Sequence, residues 1–204
     1  TPSKKIGILF SGGVDSTFLA MLCKKAGIPF TCYLGAVEEK GTRISSDLAN
    51  AKKVAKSIGV KLKVNAIPLS KVEEYLHKII PIIEDNTVVK AGVSLPFYLA
   101  CELAKKDGVK VMFSGSGADE LFAGYQRFDV SQPISQETLS LLRRLYEKDL
   151  YRDDSITMHH TIELRLPYLD KELIRFALKL PPEHKLSKTR RKIIVRDTAL
   201  EEGL

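Results

Sequence analysis

One short segment of the sequence has residue types that could bind phosphate: Ser11-Gly12-Gly13-Val14-Asp15-Ser16. Its two glycines let the backbone pass close to a ligand, and its two serines add hydroxyl donors. A strand-like apolar run, residues 6–10, precedes the segment, and a helix-forming stretch follows it. The free N–H groups and the positive dipole end of that helix would face the same ligand. The pattern predicts a phosphate cradle and disfavours the alternative, a plain glycine turn capped by Asp15.

Asp15 adds a requirement to this cradle. A carboxylate beside bare phosphate would be repelled, whereas Mg²⁺ between the two would bind both. The segment lacks the Gly-Lys-Ser/Thr ending of a Walker A loop. A magnesium–nucleotide complex bound by a different kind of loop is therefore expected.

A second segment, Ser114-Gly115-Ser116-Gly117-Ala118-Asp119-Glu120, follows another strand-like run at residues 109–113. Ser114 and Gly115 would allow a close backbone approach to a nucleotide. Asp119 would supply a second carboxylate for Mg²⁺. Glu120 would either cap the short helix that follows or join the metal shell.

The elements around these segments alternate between strands and helices, which predicts an α/β fold with a parallel sheet and helices on both faces. In such sheets the loops that leave the carboxyl ends of strands bind the ligand, so residues 11–16 and 114–125 are expected on one rim. We expect an ATP-binding domain over residues 1–128 and a helical part over 129–204, packed on it as one structural unit, with no strand after residue 136. The predicted strands are 6–10, 30–34, 60–67 and 109–113, and the predicted helices are 17–26, 47–58, 72–83, 96–106, 137–148, 171–180 and 188–200. Asp170 is expected to be the N-cap of the helix over 171–180.

The first segment resembles the loop of the PP-loop ATP pyrophosphatases, and the second resembles a signature of the synthetase domain of asparagine synthetases. Two further stretches resemble the same family: Glu163-Leu164-Arg165-Leu166-Pro167-Tyr168-Leu169-Asp170, and Lys192-Ile193-Ile194-Val195-Arg196. The resemblance implies a Rossmann-like fold of the adenine nucleotide alpha hydrolase type. It implies a loop that holds the β- and γ-phosphates, which leave as pyrophosphate while a substrate oxygen attacks the α-phosphorus and forms an adenylate.

The resemblance also implies a set of site residues, with ATP and Mg²⁺ as cofactors. Asp15 and Asp119 would bind the metal, and Asp15, Asp119, Ser116 and Lys192 would be catalytic. Glu163 and Arg165 would form a structural ion pair or border the acceptor pocket. The nucleotide site would comprise Leu9, Ser11, Gly12, Gly13, Asp15, Ser16, Leu34, Ser114 and Gly115.

The sequence departs from the family pattern on the acceptor side. Ser116 stands where these enzymes carry a glutamate or a tyrosine, and a serine hydroxyl is a poor general base without an activating partner. Gly92 stands where an arginine is expected. Without that guanidinium, the site lacks a group that could bind a carboxylate through two hydrogen bonds. Aspartate is therefore disfavoured as the acceptor.

The two ends of the sequence carry further expectations. The sequence begins Thr1-Pro2 and lacks the cysteine nucleophile of the glutaminase half, so free ammonia, another nucleophile or a partner's product would be used. It ends at Leu204, before the family's Arg-x-Lys segment, so either the chain is a piece of a longer one or Lys192 or Lys188 would replace that catalytic lysine.

Composition limits the class of protein. The chain of 204 residues has a net charge of +7, much of it in the last quarter, which would attract polyphosphates, acidic substrates or nucleic acid, or form a solvated face.

Cys23, Cys32 and Cys101 are expected to be reduced, buried thiols. Metal binding by the adjacent His159 and His160 is not expected. No signal peptide or membrane-length apolar run is present, and a cytoplasmic location is expected.

Three functions are compatible with these observations. The first is an ATP-dependent ligase that forms AMP and pyrophosphate and then an amide. The second is a PP-loop enzyme that modifies RNA or another carbonyl compound, and the third is a nucleotide-binding module that works in a larger assembly. The expected partners are ATP, a small-molecule acceptor, a separate glutaminase or other ammonia source, RNA under the second reading, and a second copy of the chain, but no membrane.

Overall fold

The structure, a computed structural model, describes residues 5–38, 44–130 and 133–203, and the side chains of 44–47 are not considered. The chain start at Thr1-Pro2 and the end at Leu204 lie outside the described residues. The chain divides into two compact units. Unit 1 comprises Thr1–Ser114 and Leu150–Arg165, and unit 2 comprises Gly115–Asp149 and Leu166–Leu204. This division differs from the boundary expected at residue 128, because a late stretch of chain returns to unit 1.

Unit 1 contains a parallel sheet, which confirms the predicted α/β fold class. Among the described residues the sheet has five strands in the order β3-β2-β1-β4-β5, and every neighbouring pair is parallel. The strands are β1 (Ile6–Leu9), β2 (Phe30–Glu38), β3 (Leu62–Pro68), β4 (Val111–Phe113) and β5 (Glu163–Arg165).

The presence of β5 shows that the expectation of no strand after residue 136 was wrong. This strand has three residues and pairs on one side, with Met112 of β4 opposite Leu164. Glu163 and Arg165 are both exposed, so the apolar run that identifies a buried strand in a sequence is absent.

The helices flank these strands in chain order. Several begin earlier than predicted, most clearly α4, whose expected first residue Pro96 lies well inside the helix. The helices are α1 (Val14–Lys25), α2 (Ile44–Ser57), α3 (Val72–Ile83), α4 (Val88–Lys106), α5 (Ala118–Leu121), α6 (Ile134–Leu145), α7 (Tyr151–His159), α8 (Lys171–Lys179) and α9 (Ile193–Glu201).

Both faces of the sheet are covered, as predicted. One face packs against α1 and α2 through side chains that include Ile8, Leu19 and Ala51. The other face packs against α3, α4 and α7 through a second cluster that includes Leu99 and Met112. The alternation of buried residues along β1 and β2 supplies both clusters, as expected for strands buried on two sides.

The three cysteines belong to these cores. Cys23, Cys32 and Cys101 are free and buried, as predicted. Burial raises the pKa of all three thiols, that of Cys32 to about 12. These thiols are therefore packing residues and not nucleophiles.

The approach of α4 to the sheet depends on Gly35 of β2. A Cβ atom at this position would lie 2.0 Å from the carbonyl oxygen of Pro96 and 2.7 Å from Cβ of Leu99. The helix backbone therefore lies directly on the strand, and this contact stabilises a helix that contains an internal proline. Buried Leu95 precedes that proline, and buried Tyr98 and Leu99 follow it, so tertiary packing overrides the local helix-breaking signal of Pro96.

Unit 2 is mainly helical among its described residues. Its core includes Ala123, Phe128, Ile134 and Leu141. Asp170 is the N-cap of α8, as predicted, and its carboxylate accepts hydrogen bonds from the amides of Glu172 at 2.9 Å and Leu173 at 3.4 Å.

Within the described part of the chain, no single helix has the length and apolar character needed to cross a membrane. The stretches Leu69–Ile83 and Val88–Lys106 meet that requirement only when taken together, and they are bent by 103° relative to each other.

The close contact at Gly35 predicts a large stability effect. Gly35→Ala should lower the free energy of unfolding by about 3 kcal/mol, because the new methyl group must push α4 off the sheet. The matched control is Gly92→Ala, in the same helix, where a Cβ atom meets nothing within 4 Å. That variant should be neutral or more stable by about 0.5–1 kcal/mol. Urea denaturation followed by circular dichroism measures both, and equal stability of the two variants would refute the proposed contact.

Candidate active site

The first loop follows β1 at the carboxyl edge of the sheet. Phe10 is buried, and its amide donates to the carbonyl of Tyr33 at 2.9 Å, so β1 is held until the loop begins. Gly12 has a φ of +75°, and a Cβ atom there would lie 2.8 Å from Cα of Ala51 in α2. Glycine is required at this position both for its backbone conformation and for the close approach to α2.

Hydrogen bonds among its own residues hold this loop in shape. The hydroxyls of Ser11 and Ser16 lie 3.2 Å apart, and the Ser11 hydroxyl accepts from the amide of Gly13 at 3.2 Å. The Ser16 hydroxyl donates to the carbonyl of Gly13 at 3.2 Å and accepts from the amide of Ser11 at 3.3 Å. Hydroxyls and amides are thus gathered at the N-terminus of α1, whose N-cap is Gly13. Such an arrangement of donors suits an anion.

Asp15 lies in the first turn of α1 and is half-buried. Its carboxylate stands among donors that favour anions, so the residue set suits an anion together with a cation. The described residues contain no cluster of three or more histidine, cysteine, aspartate or glutamate side chains that could by itself hold a metal ion.

The two leucines expected in the nucleotide site lie on opposite faces of the sheet. Leu9 packs against the core that contains Leu99, and Leu34 packs against the core that contains Ile8. Both are half-buried. The structure therefore places them beside different helix layers.

Ser114 ends unit 1 and follows β4 directly. It is buried, and its amide donates to the carbonyl of Arg165 at 3.1 Å. Since β4 pairs in parallel with β1, with Phe113 opposite Ile8, Ser114 leaves the sheet at the same edge as Ser11. The prediction of a common rim is confirmed for these two residues.

The second segment continues in unit 2 with a tight turn. Gly117 has a φ of +95°, and a Cβ atom there would lie 2.4 Å from Cδ2 of Leu169. Gly115 and Ser116 are half-buried, and the short helix α5 carries Asp119 and Glu120. This turn fixes the direction in which α5 leaves.

Glu120 has a structural contact in unit 2. It is 2% exposed, and its Oε1 accepts a hydrogen bond from the hydroxyl of Tyr125 at 2.6 Å. Burial and this hydrogen bond raise the pKa of Tyr125. The pair links α5 to the turn that follows it.

Asp119 forms an ion pair with Lys192. Oδ1 of Asp119 lies 2.6 Å from Nζ of Lys192, and the side chains are 36% and 9% exposed. Lys192 has a φ of +54° and precedes α9 as its N-cap. Two of the predicted catalytic residues are therefore in direct contact.

This ion pair borders a cavity of about 440 Å³ in unit 2. Asp129 is the second carboxylate in its wall, and Ser187 and Thr189 contribute hydroxyl groups. The excess of positive charge suits a polyanionic ligand. The cations in the wall are Lys188, Arg190, Arg191, Lys192 and Arg196.

Two of the arginines in this wall are paired with carboxylates. Arg191 donates through Nε to Oδ1 of Asp129 at 3.1 Å and through a second nitrogen to Oδ2. Arg190 binds Oδ1 of Asp197 at 2.5 Å. Lys188, the other lysine considered in the sequence analysis, also lines the cavity.

Lys185 is a buried cation whose environment the sequence did not reveal. It is 2% exposed, and burial lowers the pKa of its amine. Its main chain is bonded at both ends, since its amide donates to the carbonyl of Pro182 and its carbonyl accepts from the amide of Ile193. Local sequence gives no signal for such burial, because a lysine near the end of a basic segment looks solvated.

Glu163 and Arg165, from the stretch that ends at Asp170, lie on β5. Arg165 binds Oε1 of Glu163 through Nε at 2.9 Å and through a terminal nitrogen at 2.8 Å, so the ion-pair alternative is present. His160 is buried, its Nδ1 lies 2.8 Å from the carbonyl of Ile156, and its ring packs on Tyr98. These contacts make His160 a core residue.

Comparison with known proteins gives a consistent result. The sequence model described as asparagine synthase matches residues 3–132 and 128–201. A relative from Methanocaldococcus jannaschii that carries an asparagine synthetase name is 41% identical over 90% of this chain and 34% of its own length. The asparagine synthetase of Rattus norvegicus is 33% identical over 98% of this chain and 37% of its own length. Both names include glutamine hydrolysis, and this chain spans little more than a third of either protein.

Among solved structures, a U34-tRNA thiolase from Methanococcus maripaludis is similar with a TM-score of 0.47 and 15% identity. The similarity covers 97% of this chain and 64% of that one.

The buried contact of Glu120 predicts a loss of stability in Tyr125→Phe. Removal of the Tyr125 hydroxyl should lower the free energy of unfolding by about 1–2 kcal/mol at pH 7, because the buried carboxylate of Glu120 loses a hydrogen-bond donor. The raised pKa of Tyr125 stabilises the fold fully below about pH 10, and this contribution declines at higher pH, where the unfolded chain releases the phenol proton first. The variant should therefore lose stability less steeply than the wild type between about pH 10 and pH 11.

Urea denaturation at pH 7 and at alkaline pH measures this effect. Tyr146→Phe is the control, since the Tyr146 side chain is 62% exposed and its loss should change stability by less than about 0.5 kcal/mol. A Tyr125→Phe protein as stable as this control would show that the hydrogen bond contributes nothing.

Proposed function

We infer what this chain does from one premise: it belongs to the asparagine synthase family. The proposed activity is cleavage of ATP between its α- and β-phosphates to form an acyl-adenylate and pyrophosphate. A nitrogen nucleophile then forms an amide and releases AMP. The activity, the substrates and the partners are proposals, because the chain spans only 34–37% of the relatives it matches.

The observation that carries this proposal is the loop between β1 and α1. Its glycines, serine hydroxyls and amides are gathered at a helix N-terminus, and these donors suit the β- and γ-phosphates of ATP. We propose that Ser11, Gly12, Gly13 and Ser16 bind these phosphates. Ser114 and Gly115, with Leu9 and Leu34, are the other proposed nucleotide residues.

The residues present also suit Mg²⁺. Asp15 would hold the ion in unit 1 beside the phosphate loop, and Asp119 is the proposed ligand in unit 2. When bound, Mg²⁺ would neutralise charge on the phosphate oxygens. The protein's part is to supply these carboxylates and to bind the leaving pyrophosphate.

The cation-lined cavity of unit 2 supports a role for Lys192 in this reaction. A carboxylate oxygen of the acceptor attacks the α-phosphorus, a new P–O bond forms, and the bond to the β-phosphate oxygen breaks. Negative charge accumulates on the leaving pyrophosphate. We propose that Lys192 and Lys188, which both line this cavity, stabilise that charge.

The acceptor is proposed to differ from aspartate. Gly92 stands where the family carries an arginine, and a Cβ atom there would meet nothing within 4 Å. Val89 and Val93 beside it are 75% and 47% exposed. This part of α4 therefore presents an apolar surface, which favours an acceptor without a second carboxylate at that point.

Ser116 and the nitrogen source belong to the second step. Ser116 stands at the family position that handles the proton of the attacking amine, and a serine hydroxyl needs an activating group for that task. The proposed nucleophile is ammonia, either free or supplied by glutamine hydrolysis as in the names of the relatives.

The proposal predicts that Asp15→Asn removes AMP and pyrophosphate formation while the fold is kept. The loss should be on the order of 100-fold or more, because the carboxylate that offsets the phosphate charge is gone. Chromatographic quantification of AMP with MgATP and a panel of candidate carboxylates and ammonia measures it. Asp154→Asn, on the exposed side of α7, is the matched control and should turn over normally. Normal turnover in Asp15→Asn would exclude Asp15 from the site.

A further inference from the structure

We propose that Lys192 is an internal counter-ion of Asp119, which must leave this carboxylate before a divalent cation can bind there. Gly124 is the positioning residue that allows the two side chains to meet. This inference rests on the proposed function only in taking Asp119 as a metal ligand.

The contact between the two side chains sets up a competition. Nζ of Lys192 lies 2.6 Å from Oδ1 of Asp119, and the lysine side chain is 9% exposed. A short, largely buried contact of this kind is a charge-assisted hydrogen bond. A divalent cation would need lone pairs of the same carboxylate, so the ammonium and the metal ion compete for it.

The backbone of Lys192 is held in an unusual conformation that presents its side chain to Asp119. Its φ of +54° lies in the left-handed region that side-chain-bearing residues rarely adopt. Its carbonyl accepts from the amide of Arg196 at 2.9 Å, and the next amide, of Ile193, donates to the carbonyl of Lys185 at 3.0 Å. The peptide group that follows Lys192 is therefore held at both its carbonyl and its amide, and we expect a change of partner to come from rotation of the side chain.

Gly124 determines the space in which the pair forms. A Cβ atom at this position would lie 1.8 Å from Oδ1 of Asp119 and 2.3 Å from Cε of Lys192. The amide of Gly124 also donates to the main-chain carbonyl of Asp119 at 2.9 Å. Since its φ is not positive, glycine is needed here because of the adjacent ion pair and not because of backbone conformation.

The charges remain balanced when the partners change. In the free protein the carboxylate and the ammonium neutralise each other. With a cation and a polyphosphate bound, the carboxylate would face the cation and the ammonium would face phosphate oxygens in the cavity that Lys192 lines. Neither charge is left buried without compensation in either state.

Binding of Mn²⁺ alone, followed by electron paramagnetic resonance without nucleotide, tests the competition. Lys192→Gln should bind Mn²⁺ roughly fivefold more tightly than the wild type, and Lys192→Gln/Asp119→Asn should lose that gain. Unchanged affinity in Lys192→Gln, with normal turnover in the wild type, would overturn the counter-ion role alone. Wild-type turnover in Asp119→Asn would instead overturn the metal role that the proposed function gives to Asp119.

The ¹⁵N signal of the Lys192 ammonium tests the geometry. Slow proton exchange should make this signal visible in the wild type and in the control Gly92→Ala, and it should be absent in Asp119→Asn and Gly124→Ala. Circular dichroism confirms that each variant is folded. A visible, unshifted Lys192 signal in Gly124→Ala would overturn the positioning role of the glycine, and its persistence in Asp119→Asn would overturn the ion pair as the cause of protection.

Discussion

The parallel pairing of β1 with β4 is the constraint on which the nucleotide end of unit 1 depends. Because the two strands run in the same direction with Ile8 opposite Phe113, their carboxyl ends meet at one edge, where Ser11 and Ser114 begin their loops. The pairing is possible because both strands are short and buried on two faces by separate helix layers. A parallel neighbour has to arrive by a crossover, and the crossover that leads into β4 runs from β3 through α3 and α4. The loop chemistry follows from this order of strands.

Close contacts at glycine residues determine how near the neighbouring elements and side chains can approach. Glycine appears where the main chain closely approaches another main chain, a leucine side chain or a charged pair: Gly12 against α2, Gly35 against α4, Gly117 against Leu169 and Gly124 against Asp119 and Lys192. At each of these positions a single methyl group would displace an element or break an ion pair. The fold therefore depends on the absence of a side chain at these glycines as well as on the contacts that other side chains make.

Features that depend on local residue types could be predicted from the sequence alone. The loop at residues 11–16, the α/β class, the buried thiols and the Asp170 cap all depend on short patterns. The features that were missed depend on contacts between distant residues. The strand β5 has polar residues at both ends and is defined only by its pairing with β4. The helix α4 runs through Pro96, where it packs on Gly35, and this contact is not visible in the local sequence. The Asp119–Lys192 pair joins residues far apart in the sequence, and no local pattern marks Gly124 as its neighbour.

Cleavage of ATP between its α- and β-phosphates is tested most directly with ATP labelled at both its α- and γ-phosphorus. The protein would be incubated with this ATP, Mg²⁺, ammonia and a panel of carboxylate acceptors lacking a second charged group, and the products would be separated. The proposed reaction places the α label in AMP and the γ label in pyrophosphate, and both products form only with an acceptor present. Appearance of the α label in ADP and the γ label in orthophosphate, as the sole products, would contradict it.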